Sequence, residues 1–158
     1  MAKIRELVNK LREERAIYHE KSAKYTAAEI SEAVAFFKDL NQEIVDALTD
    51  GAKDCPDCIT DLARVKEDAA ASGDEPETWS PRPHGIFHDG TAKPFEIGCL
   101  HHANHRVRES LLEDAVERWN KSEYDPPREP GTAVATHRDA TGLVKSQRTV
   151  KVQATRRV

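Results

Sequence analysis

The sequence of 158 residues predicts an α+β fold, made of an N-terminal helical hairpin, a small ribbon-like module and an extended basic C-terminal arm. Three observations support this fold class. Apolar residues recur at helical spacing over residues 4–48. Two short runs of strand-forming residues flank an Asp-Gly pair. The three cysteines lie close in sequence to one another or to histidines, which is typical of a small module whose core is held together by a metal ion.

Composition limits the size of the core and the class of protein. Only 38% of the residues are apolar and 33% are charged, so the apolar residues must be concentrated on a few faces. No run approaches the roughly 18 apolar residues of a membrane span, and the N-terminal sequence MAKIRELVNKLREER lacks the apolar segment of a signal peptide. We therefore expect a cytoplasmic protein without membrane contact.

Residues 1–51 predict the helical hairpin. The first helix, to about Lys24, has a thin apolar stripe formed by Ile4, Leu7, Val8, Leu11 and Tyr18. Thr26 and Glu29 form a capping box for the second helix, which ends at Gly51. Its apolar face comprises Ile30, Val34, Phe37, Leu40, Ile44 and Leu48. This face is either the mutual core of the two helices or a dimer interface through residues 26–50.

The segment Cys55-Pro56-Asp57-Cys58 is the first possible site of chemistry. A Cys-x-x-Cys turn can aim two thiolates at one metal ion, form a redox dithiol, or hold cysteines without a ligand. The redox alternative requires a βαβ pattern that the surrounding sequence does not show. A short helix using Ile59, Leu62 and Val65 is predicted to follow, up to Ala71. Residues 72–83 have the composition of a linker.

Residues 84–97 predict a β-hairpin that turns at Asp89-Gly90 and leads into Cys99. Its histidines, His84 and His88, are either additional metal ligands or surface residues. A second helix signal follows the histidine cluster, with Ser110 and Glu113 as a capping box and Asn120 as the stop. Its predicted apolar face comprises Leu111, Leu112, Ala115, Val116 and Trp119.

The C-terminal part consists of a linker, residues 121–131, and a basic segment, residues 132–158. The net charge of the whole chain is −4, but this segment carries six Lys or Arg and one Asp, so residues 1–131 sum to −9. The segment is either a hairpin closing around residues 139–142 or an arm that adds a strand to a partner. Strand alternation is present at Val150, Val152 and Ala154, and the charges that would meet acidic groups or phosphates are Arg148, Lys151, Arg156 and Arg157.

Nucleic-acid binding by this basic segment is a weaker expectation. It contains no Phe, Tyr or Trp on which bases could stack, so only salt-sensitive contacts with phosphates are expected. A solvated arm without a nucleic-acid partner is the simpler interpretation.

The residues that best explain the cysteines form a C-x2-C and C-x2-H set. An odd number of cysteines without a secretion signal disfavours a disulfide framework. Three thiolates and one imidazole suit tetrahedral Zn²⁺, with His101 as an alternative to His102 and His105 as a further candidate. The predicted ligands are Cys55, Cys58, Cys99 and His102. Four protein ligands leave no open position on the metal, so we expect a non-enzymatic protein.

A nuclease is disfavoured by the crowding of the second cluster. An HNH site spreads its His, Asn and His over a strand, a loop and a helix, whereas His101, His102, Asn104 and His105 lie within five consecutive positions.

Residues 54–120 resemble the zinc-ribbon proteins of the phage and prophage restriction-alleviation (Lar-type) family. The shared features are the Cys-Pro-x-Cys turn, a strand pair, a second knuckle and a helix ending in Ala115-Val116-x-x-Trp119-Asn120. The chain departs from the family where His102 replaces a cysteine, where Ala103 and Ile59 replace glycines, and where a helix separates the knuckles. The resemblance implies a phage-encoded protein that modulates host restriction by binding a macromolecule. The alternative is a virion protein that docks through its helical hairpin and C-terminal segment.

Overall fold

The computed structural model describes residues 2–153, and its fold is α+β as the sequence predicts. The helices are α1 (Ala2–Lys21), α2 (Ala27–Leu48), α3 (Pro56–Ser72) and α4 (Leu112–Asn120), with a single 3-10 turn at Ser22–Lys24. The strands are β1 (His84–Phe87), β2 (Phe95–Gly98), β3 (Arg106–Glu109), β4 (Thr132–Arg138) and β5 (Val144–Lys151). Among these helices, none combines the length and the apolar character needed to cross a membrane.

The predicted helical hairpin is formed by α1 and α2. The Thr26 hydroxyl accepts a hydrogen bond from the Glu29 amide at 3.2 Å, so the predicted N-cap is confirmed. The second half of α2 buries Phe37, Leu40, Ile44 and Leu48. The prediction of one continuous buried face is wrong for Ile30 and Val34, which are 36% and 37% exposed. Both lie in the N-terminal half of α2, whereas the close approach of β1, at Gly85, is to Val45 and Leu48 in the C-terminal half.

The central sheet is antiparallel, with strand order β1-β2-β3. The first two strands and the turn at Asp89-Gly90 agree with the sequence analysis, and the His88 amide donates to the Pro94 carbonyl at 2.7 Å. The third strand was not predicted. Its sequence, Arg-Val-Arg-Glu, contains one apolar residue, Val107, which lies opposite Ile97 and is fully buried with it.

A single apolar core joins the helical hairpin, the sheet and α4. Helix α4 contributes four buried residues of its predicted apolar face: Leu112, Ala115, Val116 and Trp119. The Trp119 indole N–H also donates to the Lys53 carbonyl at 2.8 Å, which satisfies its polar atom inside the core. The core therefore runs without interruption across the boundary between residues 51 and 54.

The start of α4 differs from the prediction. Leu111, rather than Ser110, is the N-cap residue, and no side chain caps the helix, so the predicted Ser110–Glu113 capping box is wrong. The prediction that Leu111 belongs to the apolar face is also wrong, because its side chain is 56% exposed. The reason is β3, because the chain leaves this strand at Glu109 and turns so that Leu112 enters the core first.

Strands β4 and β5 form a two-stranded antiparallel ribbon around residues 139–142, in which Ala133 pairs with Val150. The intramolecular hairpin is therefore confirmed, and the alternative of an unpaired arm is wrong for the described residues. Val152 lies beyond β5 and is exposed. Ala154, Arg156 and Arg157 lie outside the described residues.

A buried ion pair fixes the turn of this ribbon to the body. The Arg15 guanidinium donates to the Asp89 carboxylate at 2.5 Å and to the Thr141 hydroxyl at 3.1 Å. Burial alone would raise the pKa of Asp89, but hydrogen bonds from Arg15 and Arg12 lower it below its ordinary value. Asp89 is therefore a carboxylate at neutral pH, and it links α1, the β1–β2 loop and the ribbon.

Candidate metal centre

Four side chains converge between the start of α3 and the loop that follows β2. One donor atom from each lies within 4.8 Å of the others, and the three cysteines are buried. The residues are Cys55, Cys58, Cys99 and His102. The His102 Nδ1 atom lies 3.7, 3.4 and 3.5 Å from the three sulfur atoms in that order, and Cys58 Sγ lies 3.4 Å from Cys99 Sγ.

These separations match the edges of a small coordination tetrahedron. Zn–S bonds of about 2.3 Å and a Zn–N bond of about 2.0 Å place tetrahedral donor atoms roughly 3.5–3.8 Å apart. Two of these four separations, 3.5 and 3.7 Å, lie in this range, and the two of 3.4 Å fall just below it. The cluster is therefore compatible with one tetrahedral metal ion.

The first pair of sulfurs comes from the N-terminus of α3. Cys55 is the N-cap residue, Pro56 occupies the first turn, and Cys58 lies within the helix. The Cys55 amide donates to the Pro81 carbonyl at 2.8 Å, which ties the predicted linker to this point. The prediction that the helix follows the Cys-x-x-Cys turn is thus corrected: the helix begins at Pro56 and carries the second sulfur itself.

The second pair comes from a tight loop closed by backbone hydrogen bonds. The Cys99 amide donates to the His105 carbonyl at 3.0 Å, and the His105 amide donates to the His102 carbonyl at 2.9 Å. The His101 amide also points at Cys99 Sγ, at 3.4 Å. Amide hydrogen bonds of this kind favour a thiolate over a thiol.

The structure separates the three candidate histidines. His102 turns Nδ1 toward the sulfurs, while its Nε2 lies 3.0 Å from the Asp61 carboxylate, the arrangement that orients a metal-bound imidazole. His101 points away and packs against Trp79, with ring centroids 5.4 Å apart. His105 lies beside the cluster, with Nδ1 3.5 Å from Cys55 Sγ.

His105 is held at both nitrogens and on both faces. Its Nε2 lies 3.1 Å from the Asp57 carboxylate, and its ring stacks between His102 and Tyr124 at centroid distances of 5.1 and 4.4 Å. These contacts place His105 beside the cluster and outside the four residues that converge.

The pKa values of the three thiols differ with their surroundings. Burial raises the pKa of Cys58 to about 12, with a further increase from its contact with Cys99. Burial also raises the pKa of Cys55. Cys99 is the exception, because hydrogen bonds from His102 and from backbone amides outweigh burial and lower its pKa to about 7. Three neighbouring sulfurs can be thiolates together only when a metal ion compensates their charge.

His84 and His88 do not belong to this cluster. His88 Nε2 lies 2.8 Å from a Glu96 carboxylate oxygen, and the Arg138 guanidinium donates to Nδ1 at 3.1 Å. Burial would raise the pKa of Glu96, but the hydrogen bond with His88 lowers it. His88 therefore connects the sheet to the ribbon and is absent from the four residues that converge.

Four residues around the centre were missed by the sequence analysis: Asp57, Asp61, Trp79 and Tyr124. A local signal existed for the two acids. Asp57 and Asp61 are four positions apart on either side of Cys58, so both lie on the turn of helix that carries the sulfur. The two aromatic residues come from predicted linkers and had no local signal.

Comparison with known proteins adds no relative, since no protein-family model, curated protein or solved structure matches this chain.

Proposed function

We propose that this chain is a non-enzymatic zinc-binding interaction protein, in which one zinc ion fastens α3 to the three-stranded sheet. A single observation carries the proposal: Cys58, a member of the four-residue cluster, is the one buried residue of α3. Helices in proteins are usually held by an apolar face, because packing of that face supplies most of their stability. Here the metal cluster replaces that face.

The donor set supports zinc in a structural role. Three thiolates and one imidazole at tetrahedral separations suit Zn²⁺ better than cations that prefer oxygen ligands. A catalytic zinc keeps a position for water, whereas these four protein groups would fill all four positions of a tetrahedral ion. The proposal of a binding protein rather than an enzyme rests on this filled coordination shell.

The fastened helix presents a mixed apolar and acidic surface. Ile59 is 51% exposed, and Leu100, next to Cys99, is 77% exposed. Each residue directly follows a cysteine of the cluster, Cys58 and Cys99 respectively. The acidic residues of α3 are Asp57, Asp61, Glu67 and Asp68. This surface is suited to a protein partner with apolar and basic side chains.

The partner that the restriction-alleviation resemblance implies is a component of a host restriction system, engaged by a phage-encoded protein. The second candidate, a virion protein, is favoured by a different observation. Three apolar residues of α2 are exposed on the helical hairpin, namely Ile30, Val34 and Phe36. Such a group is typical of a surface that docks on another subunit, or on a second copy of the chain.

A plating assay tests the proposed function. Expression of the wild-type chain in a restricting host should raise the plating efficiency of unmodified phage. His101→Ala should retain this effect, because His101 lies outside the cluster, and His102→Ala should lose it. Equal plating with and without the wild-type chain would contradict restriction modulation, and recovery of the chain in purified particles would favour the virion candidate.

A further inference from the structure

The β4–β5 ribbon extends from the body with both faces open to solvent. Val144, next to the turn, is its one buried residue. Directly opposite residues share a face of an antiparallel pair. One face therefore holds the pairs Thr132–Lys151, Val134–Thr149 and Thr136–Gln147, and the other holds Ala133–Val150, Ala135–Arg148 and His137–Ser146. A two-stranded ribbon with no covered face is marginally stable in water, which indicates a surface that another molecule covers.

One end of the ribbon, the turn at residues 139–142, is fixed to the body; this end is its root. Its turn is held by the Arg15–Asp89–Thr141 network, and the Val144 amide donates to the Asp89 carbonyl at 2.8 Å. Seven or eight residues per strand give a length of about 25 Å at roughly 3.3 Å per residue. The ribbon therefore projects from the body in a fixed direction and is not a flexible arm.

The charge of the ribbon is opposite to that of the body. Strands β4 and β5 contain four Lys or Arg and no acid, whereas residues 1–131 sum to −9. Near the root, Arg138 contacts His88 and Lys145 lies 3.7 Å from Asp139. Toward the open end, Arg148 and Lys151 are exposed and have no ion-pair partner within residues 2–153. They lie on opposite faces, so a polyanion around the ribbon would meet both.

We propose that the β4–β5 ribbon is a binding site for duplex DNA and enters its major groove. This groove, about 12 Å wide and 8.5 Å deep, admits a two-stranded β-ribbon. Arg148 and Lys151 would contact phosphates. The polar side chains can donate to phosphates or base edges: Thr132, Thr136, Ser146, Gln147 and Thr149.

Other nucleic acids fit this ribbon less well. Single strands are held by stacking on aromatic side chains, and neither strand contains Phe, Tyr or Trp. The major groove of A-form RNA is too deep and narrow for side chains to read. The inference goes beyond the proposed function, because it rests on the ribbon and not on the metal or on α3.

Binding should be measured by fluorescence anisotropy with the full chain and a labelled duplex of about 20 base pairs, roughly two helical turns. The double variant Arg148→Ala/Lys151→Ala should bind roughly tenfold or more weakly. The slope of log K against log salt should become shallower by about two, because each lost phosphate contact reduces it by about one. The matched control is Arg64→Ala/Lys66→Ala, which removes the same two residue types from α3 and should leave affinity unchanged.

Further results decide the assignment. A minor-groove ligand such as netropsin should leave binding unchanged, and displacement of the protein by netropsin would overturn the major-groove assignment. Binding of duplex RNA as tightly as duplex DNA would overturn the choice of DNA over RNA. Equally tight binding of polyglutamate would overturn the choice of a nucleic acid and indicate an acidic protein partner. The site itself would be overturned by the lack of any DNA binding at about 50 mM salt, or by equal losses in both double variants.

Discussion

Removal of the metal should release α3 from the rest of the protein, and this is the largest effect that we expect. The helix is attached through Cys55 at its N-cap and Cys58 in its first turn. Metal binding is worth about 10–16 kcal/mol in zinc-finger peptides, where it supplies the free energy of folding. In this chain the apolar core also holds the other helices, so we expect residues 54–120 to be destabilised by several kcal/mol rather than the whole chain to unfold.

Amide hydrogen exchange before and after chelation would measure this release. Protection should fall throughout α3, whereas the buried half of α2 should keep its protection. Cys58→Ser should reproduce the effect of the chelator. Ile59→Ser is the matched control, because it introduces the same residue at the next, half-exposed position. Unchanged protection of α3 in Cys58→Ser and after chelation would show that the cluster does not hold the helix.

The second large effect is expected at Trp119. Trp119→Ala should lower the free energy of unfolding by about 3–5 kcal/mol, the usual cost of truncating a buried aromatic side chain. The ring is 2% exposed and packs 5.5 Å from the ring of Tyr124, and its N–H donates to the Lys53 carbonyl. Its loss would leave a cavity where α4 meets the segment leading to α3.

Denaturant unfolding with metal present would measure the change, with Leu111→Ala as the control. Leu111 precedes the same helix and is mostly exposed, so its truncation should cost less than about 0.5 kcal/mol. A near-neutral Trp119→Ala, or equal effects of the two variants, would mean that α4 does not pack as described.

The elements that could be predicted from the sequence are those whose signals are local. Helices α1, α2 and α4 repeat apolar residues within one segment, and the first strand pair is marked by its Asp-Gly turn. Strand β3 could not be predicted, because only Val107 faces the core and the segment therefore has no alternation of apolar residues. Its place is set by pairing with β2 and by Asp125, whose amide donates to the Arg106 carbonyl at 2.8 Å.

The candidate site also has one part that local sequence signals predict and one part that they do not. The Cys-x-x-Cys and Cys-x-x-His spacings bring each pair of donors together through a local turn, so both pairs were visible in the sequence. The partners around them are set by tertiary packing. Arg15 pairs with Asp89, 74 positions away, and is buried with it. No periodicity within α1 indicates this ion pair.

The most direct test of the metal centre is the zinc content of three purified chains in reducing buffer: the wild type, His101→Ala and His102→Ala. The separations of the donor atoms predict about one zinc per chain in the wild type and in His101→Ala, and a large loss in His102→Ala. A wild-type chain that contains no zinc, or three chains with the same content, would contradict the assignment of Cys55, Cys58, Cys99 and His102 as its ligands.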